Sequence, residues 1–119
     1  MAPSLPARLA TLPPRRAALW GLALAVPIEL ITDLARFGLN LQATRDTGVL
    51  AHLTFGLRIH HGYLGLLLCM LAWLRPGLWR NLALVLGAAL LTSDLAHHFA
   101  VLWPITGSPQ FDLVYPQGP

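Results

Sequence analysis

Five acids and five histidines make up most of the side chains of this sequence that could hold a metal ion, and most of them fall into three tight groups. Glu29 and Asp33 are four positions apart, His60 and His61 are adjacent, and Asp94 precedes His97 by three positions and His98 by four. On a helix, spacings of three and four bring side chains to one face, so Glu29 with Asp33, and Asp94 with His97 and His98, each form a common face. His60 and His61 would diverge by about 100 degrees on a helix. One of them can then face each neighbouring element, or one can coordinate while the other supports it. Imidazole with carboxylate is the donor set of Zn and Fe sites. It shares ligand chemistry, though not ligand order, with the di-iron helical bundles. The expected centre is one transition-metal ion on Asp94, His97, His98 and His60, with His61, Glu29 and Asp33 as further ligands or as groups that orient them.

The elements around these groups are strongly apolar. Of 119 residues, 55% are hydrophobic and 11% charged, and the mean hydropathy is +0.60, outside the range of ordinary water-soluble domains. The composition predicts an all-α, polytopic membrane protein with a three-helix transmembrane bundle, since each crossing takes about 20 apolar residues. The first span is expected from Ala17 to about Phe37, the second from about Leu57 to Leu74, and the third from about Leu78 to Trp103, stopped by Pro104. The chain then divides into an N-terminal arm (1–16), a three-span domain (17–104) and a C-terminal tail (105–119). A cleaved signal peptide competes for the first span, because Arg15-Arg16 precedes an apolar run with small residues at Ala23 and Ala25. The apolar pattern continues beyond that point through Ile28, Leu30, Ile31, Leu34 and Phe37, which favours a retained span. The connection from Leu39 to Phe55 is long enough for a short interfacial helix.

All eight basic residues are arginine, and Arg8, Arg15, Arg16, Arg75 and Arg80 fall at one end of the three-span arrangement. By the positive-inside rule that end is cytoplasmic, which puts the N-terminus inside and the C-terminus outside a plasma (inner) membrane. The basic charge thus reports topology, and no nucleic-acid motif accompanies it. Glu29, Asp33, Asp94, His60, His61, His97 and His98 all lie in the outer half, at similar depth along their spans. A carboxylate in the middle of a membrane costs about 2.5–3.5 kcal/mol, so three of them require compensation. A metal ion supplies it; so does a hydrogen-bonded polar network, with Asp33 paired to Arg36 or Glu29 to Arg58. Pro27, within a turn of Glu29, kinks the first span. His52 is expected at the surface, Cys69 as a small buried hydrophobe, and Asp112 and Tyr115 either in a solvated tail or folded back over the site.

The run Arg58-Ile59-His60-His61-Gly62-Tyr63-Leu64-Gly65, followed one span later by Ser93-Asp94-Leu95-Ala96-His97-His98-Phe99, resembles small uncharacterised prokaryotic polytopic membrane proteins. Those proteins open one helix with an Ile-His-His-Gly-like motif and carry an aspartate near the end of the next. The resemblance spans about residues 58–99 and implies a membrane fold of three or four helices, without an activity. Three functions compete. The first is a membrane metal-binding protein whose Zn or Fe, with a coordination position open to water, supports hydrolytic or oxidative chemistry. The second is a haem b electron-transfer protein with one histidine from each of the second and third spans as axial ligands. The third is an accessory subunit in a larger membrane complex. The lipid bilayer is the expected partner in each case, with self-association or a complex, because three spans make a thin bundle.

Overall fold

In the computed structural model, residues 1–41, 52–58, 60–111 and 113 are described, and every regular element among them is helical. Helix α1 (Leu5–Thr11) is capped by Ser4, whose hydroxyl accepts the Ala7 N–H at 3.4 Å. Helix α2 (Pro14–Asp33) opens on a proline at its first position, where the missing N–H costs nothing. It therefore starts three residues before the apolar run and continues through a π-helical turn, Leu34–Gly38. Helix α3 (His61–Leu71) ends in a 3-10 turn, Ala72–Leu74. Helix α4 (Leu78–Leu95) runs on through a π-helical stretch, Ala96–Leu102, into the short α5 (Trp103–Thr106).

Two boundaries depart from the sequence expectation, each for a backbone reason. The second apolar helix begins at His61 rather than near Leu57, because His60 is extended (φ −110°, ψ 133°) and the Arg58 N–H donates to the Leu113 carbonyl at 2.9 Å. Pro104 does not stop the third. The π-helical stretch has already shifted the bonding register, with the Trp103 N–H reaching the His98 carbonyl, so Pro104 falls in the first turn of α5. The helical path then ends at Thr106, before Gly107 (φ +79°). The interfacial helix expected in the 39–55 connection falls largely on residues outside those described.

Helix α4 is central: α2 and α3 make their main contacts with it rather than with each other. The described chain measures 61 × 29 × 19 Å. Small residues let the helices meet closely. At Gly87 an added Cβ would stand 2.7 Å from the Gly65 carbonyl oxygen and 2.7 Å from Cys69 Sγ, so α3 and α4 touch backbone to backbone here. At the arginine-rich end, the Asn81 side-chain amide donates to the carbonyls of Leu9 and Leu12, the latter at 2.9 Å, and ties α1 to the start of α4. Asn81, Ser93 and Asp94 are the largest fully buried side chains, while Trp20, Val26, Leu30, Ile31, Leu64 and Met70 are exposed. Among the described residues, several polar groups are thus inside while many large apolar ones are outside.

Two helical paths, Pro14–Gly38 with 25 residues and Leu78–Thr106 with 29, are long and apolar enough to cross a membrane. The third, His61–Leu74, is apolar but shorter.

Candidate metal centre

Asp94 lies two residues before the π-helical stretch that continues α4 and is 2% exposed. Its Oδ1 is surrounded by three imidazole nitrogens: His61 Nδ1 at 3.5 Å, His98 Nε2 at 3.6 Å and His60 Nδ1 at 3.7 Å. These separations exceed the 2.7–3.2 Å of good N–H···O bonds. They approach the spacing of donors that share one ion, because bonds of 2.0–2.1 Å arranged tetrahedrally hold their donor atoms roughly 3.3 Å apart. His60, Asp94 and His98, all buried, present donor atoms within 4.8 Å of one another.

The local backbone explains why both adjacent histidines reach one carboxylate. His60 lies in extended chain ahead of α3 and His61 is the first residue of the helix, so the divergence expected of two helical neighbours does not apply. Gly62 provides the space, since an added Cβ would stand 3.0 Å from the Asp94 Cβ and 3.1 Å from its Cγ. His61 has its Nε2 2.9 Å from Ser93 Oγ and sits at the edge of the group, with 35% of its side chain exposed. His98 donates its Nδ1–H to the Pro109 carbonyl at 2.8 Å. A carbonyl can only accept, so the proton of the neutral ring is on Nδ1 and the Nε2 lone pair faces Asp94, the second-sphere arrangement common to metal-bound histidines.

Glu29, Asp33 and His97 form a second group. His97 Nδ1 is 2.9 Å from Glu29 Oε1 and 3.2 Å from Asp33 Oδ1, which joins α2 to α4 across the bundle. The helix face that was to hold Asp94, His97 and His98 together is thus divided, with His98 turned to Asp94 and His97 to the carboxylates of α2. The two rings are 5.4 Å apart and nearly perpendicular at 82°, so the groups are neighbours. Glu29 also borders a cavity of about 260 Å³ between α2 and α4, with Ala25, Val26, Thr92 and Ser93 among its walls.

The tail closes the histidine-bearing end. Phe111 lies 4.4 Å from His60, 5.1 Å from His98 and 5.3 Å from Phe99, centroid to centroid. Arg58, buried, donates from its guanidinium to the Gln110 carbonyl at 2.8 Å. Asp112 and Tyr115, considered above as cover for the site, are outside the described residues. His52 is exposed and belongs to neither group. Among the described residues Arg36 forms no ion pair with Asp33; its guanidinium lies 5.5 Å from the Phe37 ring.

All seven expected residues therefore lie in or beside two adjoining groups. Phe111, Ser93 and the Pro109 carbonyl were not expected. Phe111 had one available signal, as an aromatic residue in a polar tail, and a backbone carbonyl has none. No protein-family model, no curated protein and no solved structure matches the chain.

Proposed function

We propose that the protein is an integral membrane metal-binding protein whose transition-metal ion is held by His60, Asp94 and His98, with His61 beside them, near the extracytoplasmic face. The observation that carries this reading is the convergence of imidazole nitrogens on one buried carboxylate oxygen at 3.5–3.7 Å. Two histidines and one carboxylate are a donor set for non-haem Fe(II), and also for Zn with a water in the fourth position. Either ion would leave a position at which water is activated for hydrolysis or, with iron, oxygen is bound. Bis-histidine haem fits less well. The His60 and His98 rings are 4.8 Å apart and share the Asp94 oxygen, which leaves no plane between them for a macrocycle.

The membrane assignment rests on the inverted polarity of the fold together with its two long apolar helices. A water-soluble domain of this size would not bury Arg58, Asn81 and Asp94 while leaving Trp20, Leu30 and Met70 exposed. The short third helix is about 21 Å long at 1.5 Å per residue, less than the hydrocarbon thickness of about 30 Å. In this reading the buried extended residues before it, covered by the tail, complete the crossing, as non-helical backbone can where protein surrounds it. Lipid is then the partner of the exposed apolar faces.

The test is metal content after purification in detergent and reconstitution with Zn²⁺ or Fe²⁺. Asp94→Asn and His98→Ala should each lose the ion, whereas His52→Ala should keep it. Full occupancy in the His60→Ala/His98→Ala double variant would leave a structural polar network as the explanation of the cluster. A strong visible haem band in the purified protein would replace the ion with the haem alternative.

A further inference from the structure

We infer that Glu29, Asp33 and His97 form a second divalent-cation site, separate from the one at Asp94, so that the centre holds two ions side by side. The inference goes beyond the proposed function and does not require the first site to be filled. Two independent observations support it.

The first is the donor set. Two carboxylate oxygens from α2 and one imidazole nitrogen from the π-helical stretch after α4 lie within 4.8 Å of one another, with His97 Nδ1 at 2.9 and 3.2 Å from the two acids. Donors at right angles around an ion at 2.0–2.2 Å stand roughly 2.8–3.1 Å apart, so little movement separates this arrangement from coordination.

The second is a shortage of positive charge and of donors. The single Nδ1–H of His97 is the group shared by Glu29 Oε1 and Asp33 Oδ1, and it can make one good hydrogen bond or two poor ones. Glu29 Oε2 is buried with no hydrogen-bond partner among the described residues. A buried carboxylate oxygen without a donor is costly. Even a fully protonated His97 offsets only one of the two carboxylate charges beside it. A divalent cation in place of the Nδ1 proton, with His97 carrying its proton on Nε2, neutralises both acids and supplies the missing partner for Oε2. Protons shared between the acids are the alternative occupant, and the experiment separates the two.

The full chain, purified in detergent, is loaded with excess Zn²⁺, desalted, and its zinc-to-protein ratio measured by elemental analysis. The variants are Glu29→Gln/Asp33→Asn, which keeps side-chain shape, and Asp94→Asn; far-UV circular dichroism checks that each retains its helices. The expected ratios are two for the unchanged chain and one for each variant. A ratio of one that vanishes only in Asp94→Asn overturns the second site and leaves the proposed function intact. A ratio of one that vanishes only in Glu29→Gln/Asp33→Asn upholds the site argued here and removes the proposed one. A ratio of one lost in both variants means a single shared ion, and no zinc at all means shared protons; either result overturns the inference.

Discussion

Beneath the Asp94 carboxylate the chain carries Gly62, and its missing side chain is part of the site. A Cβ there would lie within 3.0 Å of the Asp94 Cβ, and the buried carboxylate has nowhere to retreat. Gly62→Ala should therefore push Asp94 away from the imidazoles and weaken Zn²⁺ binding at least tenfold, equivalent to about 1.4 kcal/mol. Helix α3 itself should tolerate alanine, which favours helix by about 1 kcal/mol over glycine. Competition with a chromogenic chelator measures the affinity, and an unchanged value would mean that the close approach of Gly62 does not set the position of Asp94. Asp94, His60 and His98 were legible in the sequence because ionisable side chains in apolar spans need compensation. What orients them was less legible: any residue could have provided the carbonyl that Pro109 offers His98, and only folding brings it there.

Among the elements, α4 has the most demanding position, because it must meet α2 on one side and α3 on the other. Small residues make that possible where α3 crosses it, and Gly87→Ala should destabilise the fold by about 1–3 kcal/mol through overpacking against Cys69 and Gly65. The readout is the midpoint of unfolding by a denaturing detergent in mixed micelles; an unshifted midpoint would show that the two helices separate without cost. The apolar runs located the two long helical paths and the shorter α3, since their hydropathy survives any detail of packing. Hydropathy did not reveal the breaks in regularity: His60 ahead of its helix, the π-helical stretch over Ala96–Leu102, and Pro104 inside the path rather than at its end. Each depends on a tertiary partner or on a bonding register set several residues earlier. Helical spacing alone therefore singled out residues that the structure brings together in a different grouping.

For the whole molecule, the distribution of charge was the most legible property. Arg8, Arg15, Arg16, Arg75 and Arg80 belong to α1, to the starts of α2 and α4 and to the turn after α3, and Asn81 ties the first of these elements to the third. With that end cytoplasmic, a reporter active only outside the cell should work when fused after Pro119 and fail when fused after Gly77; the reverse pattern would invert the proposed orientation. The bond between Glu29 and His97 also has a bearing on how the protein is made. Its two residues are 68 apart in sequence. At synthesis rates of about 5–20 residues per second, roughly 3–14 s pass between them. In the membrane setting proposed above, the first helix would carry two acids toward the bilayer throughout that interval, while the imidazole that will receive them has yet to be synthesised. It would then have to wait at the insertion machinery, or enter the lipid with its acids protonated, until His97 arrives. Biogenesis, more than the finished fold, is then the stage at which Glu29 and Asp33 are most exposed to failure.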